Sequence, residues 1–547
     1  MPNDQLSFRL ISDYTKRNEH CCAAVQIALG AGPSAYIDRL GGAQAIASAV
    51  NTHSFEAYTN RSTAQHIEDA GLSGELRYKL SDNLLLTSIT SARHYHETNG
   101  YDDDFTTADL LYRNTDGPFG NQFKTISQEI RLNGHADRLD WLLGLYLERE
   151  DLKRHSEDLY GKDYESYMGL LLSGGANINQ ISQWTGLPVG QSYVEGLGAV
   201  DIYKQTDKTA ALFTNLTYHA SDKLDLILGL RDHSESKTFN GTYTNTDNGK
   251  ACAAATALNS PALSVLCLPW SNSAFDNLTL NQARDYQAVT GTLKATYQVS
   301  NPLMGFVSYN RGFKAGGFNL DREQLANNAV QTNTSFASES VDDYEAGLKW
   351  HAGNLSLDAD LFDEQFKNFQ LNTFLGTTFI VDNVPNLRSK GVEFNESYMI
   401  KPLGLALNSS LTYDEARFGP QTVDPALALL PNNTASFAPK WSLSGQADYH
   451  HDFATMRFEA SLDGRFNSPY NTGSDLNPIK EQKAYSLWNG RLALTQLSRN
   501  VTVALWSTNM TNVRYYQVAF AGPFQGGTYD AFLGRPRAVG VSLGMKM

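Results

Sequence analysis

"RLDWLLGLYLERE" (138–150) alternates along its length. Leu139, Trp141, Leu143, Leu145 and Leu147 share one face of an extended chain, and Asp140, Gly144, Tyr146, Glu148 and Glu150 lie on the other. A period of two is that of a β-strand, whose successive side chains point to opposite faces. The pattern recurs in "KLDLILGLRD" (223–232), "LSLDADLF" (355–362), "MRFEASLDGRFN" (456–467) and, at the chain end, "AVGVSLGMKM" (538–547). There are about eighteen such segments, mostly of about ten residues or more, longer than the strands of ordinary globular sheets. About ten residues is the length a tilted strand needs to cross a bilayer.

The connections carry the second signal. Short ones, "SDN" (81–83), "GHAD" (134–137), "ASDK" (220–223), "SNP" (300–302), "HAGN" (351–354) and "KPLG" (401–404), alternate with long ones near 18–67, 98–123, 153–205, 237–283, 315–339 and 512–535. Tight turns on one rim and long loops on the other are the pattern of a membrane barrel. A propeller would repeat similar loops every ~40–50 residues, and a string of sandwiches would show linkers. Neither is present, so residues 1–547 read as one all-β domain, a transmembrane antiparallel β-barrel. One long loop, "AYIDRLGGAQAIASAV" (35–50), reads as partly helical.

Composition agrees. No apolar run reaches the ~18–20 residues of a membrane helix, which leaves a barrel open because its apolar residues alternate with polar ones. Charged residues are 19% and the formal net charge is −14, which argues against a nucleic-acid partner. The N-terminus "MPNDQLSFRLISDYTKR" (1–17) has no charged-then-apolar leader pattern. Cys21, Cys22, Cys252 and Cys267 form no Cys-x-x-Cys pair, which disfavours structural zinc.

Few stretches suggest chemistry. "FVSYNRGFKAGGFN" (306–319) is glycine-rich but lacks the order of a phosphate-binding loop and leads into no helix. His94 and His96 share a strand face, where a polar strand end explains them as well as a metal does. "YDDDF" (101–105) could hold calcium, although loop carboxylates are ordinarily solvated, and "YHHDF" (449–453) reads as an exposed short turn. No nucleophile-elbow pattern occurs. The sequence points to no enzyme, no cofactor and no metal centre.

The 306–319 segment resembles the signature of TonB-dependent receptors, outer-membrane transporters of Gram-negative bacteria. The matching positions are Tyr309, Gly312, Phe313, Lys314, Gly316, Gly317, Phe318 and Asn319. "SQEIRL" (127–132), "LILGLRD" (226–232), "DYEAGLKW" (343–350), "SKGVEF" (389–394), "NMTNVRYY" (509–516) and "GRPRAVGVSL" (534–543) follow in the family's order. The resemblance implies a monomer in outer-membrane lipid and lipopolysaccharide, taking up a ferric siderophore or similar scarce nutrient with energy from the TonB complex. It also implies about twenty-two strands, a signal peptide, a TonB box and a plug, against about eighteen strands read here. The expectation is therefore a truncated barrel, plug missing, that cannot couple to TonB by itself. Met547 stands where the family usually ends on Phe or Trp. In the oxidising compartment the resemblance implies, Cys252 and Cys267 are expected to close a loop worth about 3 kcal/mol.

A passive porin-like channel is the alternative, and a secreted β-rich binding protein a third reading. Arg231, Asp358, Arg457, Glu459 and Arg465 fall on the lumen face, where lining water suffices to explain them. Substrate-binding residues cannot be read. Counting loops puts strands 6–17 and 538–547 antiparallel with both chain ends on the short-turn rim, which asks whether they pair and close the barrel.

Overall fold

The computed structural model describes residues 5–115, 119–259, 261–323, 332–374, 378–421 and 427–545. Met1 and the terminal Met547 lie outside them. Eighteen long strands form the wall. The first nine are β1 (Leu6–His20), β2 (Ala64–Ser81), β3 (Leu84–Asn99), β4 (Gly120–Ala136), β5 (Leu139–Tyr160), β6 (Gly198–Ser221), β7 (Leu224–Asn245), β8 (Leu278–Ser300) and β9 (Leu303–Lys314). The rest are β10 (Glu339–Ala352), β11 (Leu355–Phe374), β12 (Phe379–Ile400), β13 (Leu405–Asp414), β14 (Trp441–Phe453), β15 (Met456–Asn467), β16 (Tyr485–Gln496), β17 (Val501–Thr508) and β18 (Ala538–Met545). Each pairs antiparallel with the next in chain order, so the wall is a continuous meander.

Exposure decides what the two faces meet. Leu143, Leu145 and Leu147 are 47%, 42% and 44% exposed, while Gly144 between them is buried. The apolar face is thus the outer one and packs on nothing. One outer row runs Trp141–Leu216–Leu228–Leu293–Tyr309–Tyr344 across six strands. A continuous apolar belt of this extent is a lipid-facing surface; a sandwich would bury it against a second sheet. The inner face is polar with aromatic fillers. Gly144 lets the Phe213 ring lie across the inner wall, and the Arg231 guanidinium sits 5.4 Å and 5.6 Å from the Tyr146 and Phe213 ring centres.

Turns and loops alternate, with one exception: β11 and β12 are joined on the long-loop rim by only four residues, 375–378. The strands are longer than the alternation alone suggests: β5, β6 and β7 have 22, 24 and 22 residues. A bilayer needs about ten, so their remaining lengths rise above the belt and carry the long loops. "YHHDF" (449–453) is the end of β14 and not a turn, because His450 and His451 pair with Glu459 and Phe458. The helical segment of the first loop is α1 (Ala31–Gly41), ahead of the expected 35–50, and Gly42 at φ 92° ends it.

Among the described residues, β1 pairs only with β2 and β18 only with β17. The two ends of the meander nevertheless meet above the wall. Val25–Ala28 of the first loop pairs with Tyr529–Leu533 of the last, which pairs with Tyr516–Ala521. This three-stranded loop sheet joins what the wall strands leave apart.

Candidate functional site

The long loops pack on one another. Ile37 and Ile46 of the first loop, Leu110 of the second, Tyr164 and Met168 of α2 (Tyr164–Leu172), Ile181 of α3 (Gln180–Thr185) and Trp270 share one buried cluster. Phe524 of the last loop packs against it, 4.8 Å from the Trp270 ring, and accepts a hydrogen bond from the Tyr167 hydroxyl at its carbonyl. Trp270 Nε1 donates to the Tyr164 hydroxyl at 3.0 Å. Cys252 of α4 (Lys250–Ala257) is joined to Cys267 by a disulfide inside this assembly, and the neighbours Cys21 and Cys22 are joined to each other.

Beside this cluster lies a chamber of about 190 Å³. Tyr101, Phe105, Phe520, Phe524, Phe532 and Trp270 wall it, with Phe374 and Phe379 from the outer ends of β11 and β12. The rings touch in sequence: Tyr101–Phe105 at 5.7 Å, Phe105–Phe520 at 5.2 Å and Phe520–Phe532 at 5.2 Å. Larger hollows lie elsewhere: about 580 Å³ among the short turns near Asp140, about 560 and 470 Å³ between lipid-facing side chains near Leu348 and Leu462, and about 500 Å³ between the loops near Trp441 and Tyr470. Only the last is among the long loops, where a ligand from outside would arrive, and its aromatic walls are Trp441 and Tyr470 alone, against eight rings in the chamber.

Asp103, Arg113 and Asp158 supply the chamber's charge. Arg113 Nε donates to the Glu157 carbonyl at 3.2 Å, Nη2 donates to Asp158 Oδ1 at 3.3 Å, and Asp103 Oδ1 lies 3.6 Å from Nε. Burial pushes the Asp103 carboxyl well up, against the pull of Arg113, and pushes Asp158, on the protruding end of β5, up to about 6. For Arg113, Asp103 and Asp158 outweigh burial and hold the cation.

"YDDDF" (101–105) is therefore neither solvated nor a calcium loop. Asp102, Asp103 and Asp104 are 3%, 8% and 1% exposed. Asp102 accepts from the Thr59 hydroxyl and the Asn60 amide, and Asp104 from Thr106, Leu110 and Leu111. Among the described residues no group of three or more His, Cys, Asp or Glu side chains could hold a metal, and none includes His94 or His96. His94 faces Gln122.

The 306–319 residues build the wall and the loop root. Tyr309 is on the lipid face and donates to Asp342, Gly312 faces Val341, and Phe313 stacks near His233. Lys314 ends β9 opposite Glu339. Side chains at Gly316 and Gly317 would collide with Phe336. Phe318 is buried on Phe239 at 5.3 Å, and Asn319 exchanges two hydrogen bonds with Val381. This fixes Asp321 and Arg322 next to the chamber. Asp321 accepts from the Phe379 amide, and Arg322 makes a bidentate ion pair with Asp201 at 2.7 Å. Of the lumen residues, Arg457 pairs with Asp452 at the short-turn rim and Arg465 donates to Tyr485. Asp358 stands opposite Lys349 and Glu459 opposite His450, whereas Arg231 packs on aromatic rings. None of the five lines the chamber.

A family model, TonB dependent receptor-like, β-barrel, matches residues 28–510. The chain belongs to the TonB-dependent receptor β-barrel family. Its place is therefore the outer membrane, and no helix among the described residues is long and apolar enough to cross a membrane. The same architecture appears in the ferric yersiniabactin uptake receptor FyuA from Yersinia pestis, at TM-score 0.71 and 15% identity over 98% of this chain and 68% of that one. The siderophore receptor PiuA from Acinetobacter baumannii is similar at TM-score 0.66 and 14% identity, over 98% and 71%. The closed form of the ferric-catecholate import receptor Fiu from E. coli K12 is similar at TM-score 0.66 and 12% identity, over 98% and 72%. No curated protein matches the chain. The chamber residues, scattered from the second loop to the last, share no local motif. Only the aromatic density of "YDDDF" (101–105) and "AFAGPF" (519–524) could have pointed to them.

Proposed function

We propose that this TonB-dependent receptor barrel captures a scarce nutrient chelate of the ferric-siderophore class from outside the cell, and that the aromatic chamber beneath its loops is a first binding place. The observation that supports the reading most is convergence. Loops from both ends of the sequence and two strand ends bring eight aromatic side chains onto one cavity on the long-loop rim. Such a cavity is what apolar chelate frameworks bind, with a few polar groups to orient them. The apolar belt suits a monomer seated in outer-membrane lipid with lipopolysaccharide around its protruding strands. The packed loop cluster weighs against an open porin-like mouth.

The test is saturable binding of a panel of ferric siderophores to the purified chain in detergent, alongside conductance in a planar bilayer. At least one chelate is expected to bind, with affinity reduced about tenfold or more by a Tyr101→Ala/Phe520→Ala double variant. A large steady conductance with no saturable binding would overturn the reading.

A further inference from the structure

The chamber has a charge preference that its one arginine conceals. Arg113, the group an anionic ligand would seek, is already engaged. It donates to the Glu157 carbonyl and Asp158, faces Asp103, and lies over the Phe119 ring at 4.8 Å and the Tyr101 ring at 5.6 Å. Two carboxyls thus share one guanidinium. Burial pushes both up, Asp158 to about 6, so bound protons hold off the formal excess of one negative charge until a cation arrives to match it, with release of a proton.

That excess is localised. Asp103 is 8% exposed, and its Oδ2 atom has no hydrogen-bond partner while its other oxygen faces Arg113. A buried acceptor left unmatched costs about 1–3 kcal/mol, and more when charged, so it marks a place where a partner is missing. The faces of the aromatic walls carry negative electrostatic potential, which adds attraction for a cation and none for an anion.

The geometry points to a ligand that presents a cationic N–H group, such as an ammonium or amidinium, to the Asp103 carboxyl and lays an aromatic or apolar body against the walls. This rests on the chamber being a ligand site, as proposed above, and deepens it: the recognised part of the chelate is a cationic or neutral donor arm and not a carboxylate or polyanionic face. A body the size of one substituted benzene ring fits a volume of about 190 Å³.

The test uses the full chain in detergent and three nearly isosteric probes: benzamidine (cationic at neutral pH), benzamide (neutral) and benzoate (anionic), titrated by calorimetry with saturation-transfer NMR as a second readout. Benzamidine is expected to bind with a dissociation constant on the order of 1 mM, as befits so few atoms, and about tenfold or more tighter than benzoate. Asp103→Asn, which keeps the shape and removes the charge, is expected to abolish the preference while heat-modifiable migration on gels stays that of the folded barrel. Equal or tighter binding of benzoate, or an unchanged preference in Asp103→Asn, would overturn the charge assignment and leave the chamber standing as a ligand site. Binding of none of the probes at about 10 mM, with a ferric chelate still bound, would overturn it too and place capture elsewhere.

Discussion

Arg322 shows how a loop is held at the cost of a single side chain. It is 2% exposed and every donor is matched. Two go to Asp201, one to the Thr244 carbonyl, and the rest to Asn245 and Pro269. A buried pair like this is neutral as a whole but costly to halve, about 3–5 kcal/mol when one partner is lost. Arg322→Ala is therefore expected to loosen the loop roots around 198–203 and 241–245 by that order, read as lost hydrogen-exchange protection there and not in the belt. Asp530 is the pH-sensitive counterpart. It is fully buried, accepts from Gln26 Nε2 at 3.1 Å, and burial pushes its carboxyl up to about 8. The folded loop sheet thus keeps a proton that an opened one releases between ~4 and ~8. Its stability is full below ~4, falls across that window and is lowest above ~8. Protection of the 25–28 and 529–533 amides, corrected for intrinsic rates, should drop between about pH 5 and about pH 9, and Asp530→Asn should flatten the dependence. No part of this was legible in the sequence, because Gln26 and Asp530 look like ordinary loop residues until the two ends of the chain are brought together.

The strands are where reading was easiest. Period-two alternation with one face wholly apolar gives the strand, its faces and, through turn lengths, the direction of each successive element. "KLDLILGLRD" (223–232) and its partners follow that logic residue by residue. What the pattern could not give was strand length, since β5 to β7 continue beyond the belt in polar residues whose only periodic signal is being extended. Nor could it give the chamber, whose walls come from loops that local periodicity does not describe. The two faces should answer differently to one charge. Leu293, 60% exposed on the lipid side, replaced by Arg should cost about 2–4 kcal/mol in folding into lipid vesicles. Its neighbour Lys294 points inward, its Nζ 4.2 Å from the Phe306 ring centre, and Lys294→Gln should cost under about 1 kcal/mol. Equal costs at the two positions would mean that the faces are misassigned.

At the scale of the molecule, the wall and the loops close differently. β1 and β18 each have one neighbour among the described residues, and both are exposed along nearly their whole length. Val541 and Leu543 reach 72% and 77%. The loop sheet above them joins the first and last loops through Val25–Ala531 and Gln26–Asp530. A strand paired on one side satisfies only every second backbone amide, because successive N–H groups point to opposite edges. In the isolated chain in detergent, β1 and β18 should therefore show alternating fast and slow amide exchange, while middle strands such as β7 are protected throughout. The 25–28 amides should stay protected if the loop sheet alone ties the ends. Gln26→Ala should then raise exchange at 25–28 and 529–533 together, and leave the alternation in β1 and β18 unchanged. Uniform protection along β1 and β18 would show instead that the two strands find each other and that the wall closes through its own backbone.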